Sequence, residues 1–247
     1  MSDDERTRRG IERSLHIYYG DQRDNAAMDA LYARFVKPDD LVFDVGSHVG
    51  DRIAAFRRLA ARVVACEPNP SLVPTLRRLY GDDDMVSLEP VAVGPRSGEI
   101  EMRINTDNPT VSTASSEFVR ASQGAPGWEG QNWDKRVMVA VTTLDALIAR
   151  HGTPAFMKID VEGFEAEALA GLTQPVPALS FEFTTIQRDV ARACLKRCAA
   201  LGYVRYNAAL GESQTLVHAD WQSAGAIARW LDGLPVEANS GDVYATR

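Results

Sequence analysis

An α/β fold, with a mostly parallel sheet covered by helices on both faces, is what this sequence predicts. Short apolar runs of strand length alternate with stretches of helical period. The first run, Leu41–Val45, passes directly into a turn holding Gly46 and Gly50, and a helix opens near Asp51. A second run, Arg62–Cys66, follows about twenty residues on and is closed by an acid, Glu67. A buried strand has no packing reason to carry the Asp44 carboxylate, and glycine lets backbone approach a ligand without a Cβ in the way. Strand, glycine turn, helix and acid-ended strand make a nucleotide-type site, in which the second acid holds ribose hydroxyls.

The chain in order supports this frame. Residues 1–38 carry mixed charge and two helices, at 6–19 and 25–35, with Ile11, Leu15, Tyr18 and Tyr19 on one apolar face and Met28, Leu31, Tyr32 and Phe35 on the other. They form a helical cap, read either as a cover over an edge of the sheet or as part of an acceptor site. The main α/β domain then runs over 39–247. Ile53, Phe56 and Ala60 share the stripe of the helix after the glycine turn. Asn69 or Ser71 is placed to cap a helix through Tyr80, with Pro74 in its first turn, where a missing N–H costs little. Residues 86–93 read as a third strand. Strict alternation over 99–104 marks a half-exposed strand after a Gly94–Gly98 turn.

Residues 105–136 break the pattern. They are rich in Ser, Thr, Gly, Asn and Pro, yet include Trp128 and Trp133. A long irregular segment within a domain is usually functional or disordered, and tryptophans favour a lid or acceptor-binding insertion. Aromatic faces beside hydroxyl and amide groups suit a polyol such as a sugar. A strand at 137–141 and a Thr143-capped helix ending near Gly152 follow. In the next strand, 155–161, Phe156, Lys158, Asp160 and Glu162 share one face by the period of two. Lys158 and Asp160 are either a buried ion pair, which costs desolvation, or a functional pair at the end of a strand where open sheets bind ligands. Gly163 turns the chain into a helix carrying Ala166, Leu169 and Ala170. The fifth main strand, 179–184, carries another unexpected acid, Glu182. A helix at 187–201, strands at 203–210, 215–218 and 242–246, and a helix at 224–231 close the chain.

The composition narrows the class of partner. With 247 residues and 45% hydrophobic content the chain can bury a substantial core, and a formal charge of -7 argues against a nucleic-acid partner. No apolar run reaches the roughly twenty residues of a membrane span, and the first ten residues lack a signal peptide's apolar core, so a cytoplasmic protein is expected. Of the three cysteines, Cys66 falls in a strand and Cys194 and Cys198 lie one helical turn apart, which reads as core packing rather than metal binding.

Four motifs, DVGSHVGD at 44–51, EPNP at 67–70, TLDALI at 143–148 and MKIDVEGFE at 157–165, resemble the FkbM family of class I S-adenosylmethionine-dependent methyltransferases. The resemblance covers roughly residues 41–172. It implies a Rossmann-like class I methyltransferase fold with a mostly parallel seven-stranded sheet, and S-adenosylmethionine as cofactor. It also implies O-methylation of a hydroxyl on a sugar or secondary metabolite. Carried over by position, Asp44, Gly46 and Gly50 match the loop under the cofactor's methionine, with His48 where many such loops have glycine. Glu67, flanked by Pro68, matches the ribose-binding acid. Ala92 and Val93 match the adenine shelf, and Asp160 the position between cofactor and acceptor. Asp160 or Glu182 is the expected base, with Lys158 orienting it or tuning its pKa; a Mg²⁺ ion held by two of the carboxylates is the alternative activator. Two rivals stay open, an NAD(P)-dependent oxidoreductase and a non-catalytic S-adenosylmethionine-binding scaffold. The oxidoreductase reading lacks its Gly-x-Gly-x-x-Gly fingerprint, since His48 stands in place of the middle glycine.

Overall fold

The structure, a computed structural model, describes residues 2–20 and 25–247. The strands are β1 (Leu41–Val45), β2 (Arg62–Cys66), β3 (Val86–Glu89), β4 (Ala92–Val93) and β5 (Gly98–Ile104). They continue as β6 (Lys135–Thr142), β7 (Phe156–Ile159), β8 (Ala178–Thr184), β9 (Arg205–Leu210) and β10 (Ser240–Thr246). The helices are α1 (Asp3–Tyr19), α2 (Asn25–Tyr32), α3 (Asp51–Arg58), α4 (Val73–Tyr80) and α5 (Ser116–Ser122). They are followed by α6 (Leu144–His151), α7 (Glu165–Ala170), α8 (Arg188–Ala200) and α9 (Ala224–Gly233).

Seven strands form the main sheet in the order β3-β2-β1-β7-β8-β10-β9, and β10 runs antiparallel to both of its neighbours. The expected mostly parallel seven-stranded sheet is therefore what the chain forms. From β1 the order runs to β2 on one side and to β7 on the other. A crevice opens at the carboxyl ends of strands where the order reverses in this way, and ligands bind there.

Alternation along the strands feeds a core on each face. Phe43, Val45, Met157, Ile159 and Phe181 point into one cluster with Leu147, Leu169 and Leu195 from the helices over that face. Val42, Val63 and Phe156 point into the other, with Met28, Tyr32, Ile53 and Phe56. The rings of Tyr32 and Phe56 lie 4.7 Å apart and those of Phe35 and Phe156 stack at 5.1 Å, so α2 and the turn after it are pinned through α3 to the centre of the sheet. Each such side chain, fully buried, stabilises the fold by about 1.5–3 kcal/mol before entropy is counted.

Four local expectations change. The strand read over 86–93 is broken at Pro90, which has no N–H for a ladder. Beyond it β4 leaves the main sheet and joins a small one, in the order β4-β6-β5. Residues 215–218 are not a strand: Val217 makes one backbone bond to Ala208, and the Asn207 side chain bonds both backbone groups of His218 where a ladder would have run. Neither Asn69 nor Ser71 caps α4. Leu72 holds that position, and Asn69 instead accepts from the Ser71 N–H at 3.0 Å. Finally, α1 starts at Asp3, ahead of the expected residue 6, because Ser2 and Glu5 form a capping box.

The 105–136 insertion has structure of its own. Ser115 caps α5 through the Phe118 N–H, and Val111, Phe118 and Trp128 form a small apolar cluster. Helix α1 lies along this insertion. Arg6 pairs with Asp107 and Asp134, and a Cβ on Gly10 would meet Pro109 at 2.8 Å. At its other end Tyr19 donates to the Val49 carbonyl (3.0 Å), which ties α1 to the glycine turn. Among the described residues no helix is long and apolar enough to cross a membrane. Cys66, Cys194 and Cys198 are buried free thiols.

Candidate functional site

A cavity of about 410 Å³ opens at the carboxyl ends of β1, β2 and β7, within the range of roughly 300–1,000 Å³ usual for small-molecule sites. The structure brings eight of the expected residues to its wall: Gly46 and His48 from the turn, Glu67 and Pro68 after β2, Ala92 and Val93 of β4, Asp160 after β7, and Glu182 of β8. Asp44, Gly50 and Lys158 do not line it. Asp44 and Lys158 face each other in register on β1 and β7, beneath the floor.

The turn is built by backbone. Gly46 has φ +91°, and a Cβ there would overlap the Asp160 carbonyl oxygen, so the end of β1 and the end of β7 meet at van der Waals distance. The Gly46 and Ser47 N–H groups both donate to Cys66 O (2.9 and 3.0 Å), tying the turn to β2. Gly46→Ala is therefore expected to destabilise the fold by at least about 2 kcal/mol, from left-handed strain plus the clash. Urea unfolding measures this, and an unchanged midpoint would mean the two strand ends separate freely. Gly50 serves packing: it precedes α3 at φ +89°, and a Cβ there would meet Tyr80 at 2.6 Å.

His48 also takes a left-handed conformation, with φ +49°. Its N–H donates to Glu67 Oε2 (2.8 Å), its Nε2 lies 3.3 Å from Thr110 Oγ1, and the Tyr18 ring meets it edge-on. Burial lowers the imidazole pKa to about 4, so the ring is neutral near pH 7. Glu67 is held from both sides, Oε1 accepting from the Asn69 N–H (2.7 Å) and Oε2 from His48. Burial nevertheless raises its carboxyl to about 7. Asp44 is also raised to about 7 by burial, against the pull of Lys158, and its Oδ2 has no partner.

A second group of acids gathers opposite. The Lys158 Nζ donates to Asp160 Oδ2 (2.8 Å) and Asp242 Oδ1 (3.1 Å). Burial opposes the Lys158 charge, but its two acids outweigh that and raise its pKa; in the same way Lys158 outweighs burial at Asp160 and holds that carboxyl low. Glu162 and Glu182 have no such cation. Burial, and then the charge of Asp160, push both well above the carboxylate range. Each of Asp160, Glu162 and Glu182 offers an oxygen within 4.8 Å of the others, and Glu182 Oε2 has no hydrogen-bond partner. Among the described residues this is the group whose geometry could hold a cation.

Arg52 and Asp242 were not anticipated. Arg52 lines the cavity, donating to Asp51 (2.7 Å) and to both oxygens of Glu212 (3.0 and 2.8 Å). A basic residue in the first turn of a helix ordinarily reads as solvated, so no local signal marks it. Asp242 lies opposite Glu182 in the antiparallel register of β10 and β8, a pairing that only the fold creates. The two tryptophans divide. Trp128 lines the cavity with its indole N–H unpartnered, whereas Trp133 donates to Val111 O (2.8 Å) and braces the insertion from behind.

These carboxyls set a pH dependence. Asp44, Glu67 and Glu165 hold their protons to about pH 7 when folded, against 3.8 for Asp and 4.5 for Glu when unfolded. The folded chain then binds more protons than the unfolded one between those values, so stability falls as pH rises from about 5 to 7. Glu162 and Glu182 act in the same direction. His48 acts in the opposite one, as the unfolded imidazole takes a proton below 6.5, but it is one group against several. The urea midpoint of the ligand-free protein is expected to be higher near pH 5.5 than near pH 7.5. A midpoint that rises over that interval would show these acids to be solvated.

Comparison with known proteins adds three findings. A family model described as the methyltransferase FkbM domain matches residues 44–225. A hexuronic acid methyltransferase, AglP, of Haloferax volcanii is 27% identical over 156 residues, which are 62% of this chain and 58% of that protein. The chain thus matches less than two thirds of that relative's length. The crystal structure of a TehB-like SAM-dependent methyltransferase from Corynebacterium glutamicum superposes with a TM-score of 0.50 at 10% identity, covering 99% of this chain and 97% of that one, a likeness of fold alone.

Proposed function

Because the chain belongs to the FkbM methyltransferase family, we propose that it transfers a methyl group from S-adenosylmethionine to a hydroxyl of a sugar or another polyhydroxylated metabolite. The observation that carries this reading is Glu67, fixed by two backbone N–H groups at the cavity wall beside the glycine turn. That is the placement a ribose-binding acid needs. The cofactor fits the remaining wall as well. Gly46 and His48 bring the turn to the wall, Ala92, Val93 and Pro68 offer an apolar shelf, and Asp44 keeps an unpaired buried oxygen beneath the turn. The relative that acts on a hexuronic acid supports a sugar-like acceptor.

When bound, the cofactor would supply an electrophilic methyl group on a sulfonium. The chain's part is to place the acceptor oxygen in line with it, which is worth about 7–11 kcal/mol of barrier, and to take the hydroxyl proton. A lone pair of that oxygen forms the new C–O bond as the C–S bond breaks, leaving a neutral thioether. We assign the proton to Glu182. Glu182 lines the cavity and its affinity for protons is raised, whereas Asp160 is committed to Lys158 and is the weaker base. Lys158, between Asp160 and Asp242, orients the pair and holds the Asp160 charge.

A methyl-donor assay over a panel of polyhydroxylated acceptors, with EDTA or with Mg²⁺, tests the activity and its metal requirement. Thermal shift separates the rivals. S-adenosylmethionine raising the melting temperature while NAD(H) leaves it unchanged is expected; the reverse would make the protein an oxidoreductase, and binding without transfer a scaffold.

A further inference from the structure

Helix α1 is docked on the protein without entering its core. Of its 17 residues only Gly10 and Ser14 are buried, and among the described residues none of α1 belongs to an apolar cluster of the core. The face expected of Ile11, Leu15, Tyr18 and Tyr19 stays partly exposed, Tyr19 at 40%. A helix that buries so little apolar surface draws little stability from packing, and segments of that kind open at low cost.

What holds α1 lies on the rim of the cavity. Arg6 pairs with Asp107 and Asp134, Ser14 Oγ lies 3.5 Å from Thr110 Oγ1, and Gly10 lets the helix rest on Pro109. Those contacts go to the insertion. At the other end Tyr19 donates to Val49 O and the Tyr18 ring meets that of His48, both in the glycine turn. Thr110 joins all three parts, since its hydroxyl also lies 3.3 Å from His48 Nε2. Partly solvated ion pairs such as those of Arg6 are weak.

Tyr18, His48, Pro109 and Thr110 all line the cavity, so a ligand filling it touches both the helix and the surface on which the helix docks. Burial, and then the charges of Glu212, Asp51 and Asp160, hold the Tyr18 phenol above its ordinary range, which puts the ring at the Asp160 end of the cavity. A segment held weakly to the rim, and touched by whatever fills the cavity, has what a lid requires. Only a contact with the ligand that differs between open and closed can bias one against the other.

We propose that α1 is a lid that lifts from the turn and the insertion to admit S-adenosylmethionine and the acceptor and closes over them, Tyr18 sealing the Asp160 end against water. This rests on the methyltransferase reading above and adds a gated entry to it.

The test locks the helix down. Ser14→Cys with Thr110→Cys puts two thiols where the hydroxyls now face each other, within reach of a disulfide, while Cys66, Cys194 and Cys198 are buried. By stopped-flow fluorescence on the full chain, S-adenosylhomocysteine is expected to associate at least about tenfold more slowly with the oxidised protein than with the same protein after reduction. The reduced form controls for folding and for the lost Thr110 hydroxyl. Equal association rates overturn the proposal and make α1 a fixed wall; thiols that an oxidant cannot join overturn it by showing that α1 is not docked there. Hydrogen exchange of the wild-type chain is read beside this. Amides of α1 should exchange at least about tenfold faster than those of α3, and should slow when S-adenosylhomocysteine is bound. Exchange in α1 that ignores the ligand also overturns the proposal, and this measurement decides should the reduced variant fail to bind. A wild-type chain that does not bind S-adenosylhomocysteine would instead remove the methyltransferase reading on which the proposal stands.

Discussion

Replacing Glu67 by alanine is expected to weaken S-adenosylmethionine binding by at least about 10²-fold while the chain stays folded. The magnitude follows from two hydrogen bonds between ribose hydroxyls and a carboxylate, each worth about 1.5–3 kcal/mol when one partner is charged. Most of the ordering cost is met before the ligand arrives, because Asn69 and His48 already fix the two oxygens at 2.7 and 2.8 Å. Truncation frees those two N–H groups at the edge of the cavity, where water can reach them, so the melting temperature should fall only slightly. Glu67→Gln separates charge from shape: an amide keeps one acceptor and its size, and should bind at an intermediate level. Calorimetry with circular dichroism checks both variants. Alanine binding within threefold of wild type would mean that the ribose lies elsewhere.

The reach of the sequence is set by how local each interaction is. Asp44, Gly46, His48 and Glu67 lie within one strand–turn–helix–strand unit, and residue type and spacing there were enough to place three of the four at the cavity wall. The fourth, Asp44, is buried below it. The alternation that put Lys158 and Asp160 on one face was also readable, and the two do bond. What completes the site comes from far along the chain. Arg52 meets Glu212 across 160 positions and Lys158 meets Asp242 across 84, distances over which no periodicity carries information. Pro90 was a legible break that the apolar run on either side outweighed, although a missing N–H cannot be compensated inside a sheet. In the insertion, composition marked both tryptophans but could not show that one indole N–H is already satisfied by Val111 and the other is not.

Glu182→Gln is expected to lower kcat by about 10²–10⁴-fold with little change in cofactor binding, since a positioned base contributes on that scale. Loss of turnover alone would not distinguish a base from a residue that merely shapes the cavity. The pH profile does. Burial, and then the Asp160 charge, raise the Glu182 carboxyl, so the two acids titrate together and the acid limb of kcat/KM belongs to the pair. In wild type that limb should lie above the ordinary carboxylate range, activity rising as the pair gives up its proton. Asp160→Asn removes the neighbouring charge and should move the limb to lower pH, with a smaller loss at the plateau. Glu182→Gln should remove the limb altogether and leave a flat residual rate. Should Asp160→Asn abolish the limb while Glu182→Gln only displaces it, the proton goes to Asp160, and Lys158 then activates a base whose basicity it also lowers.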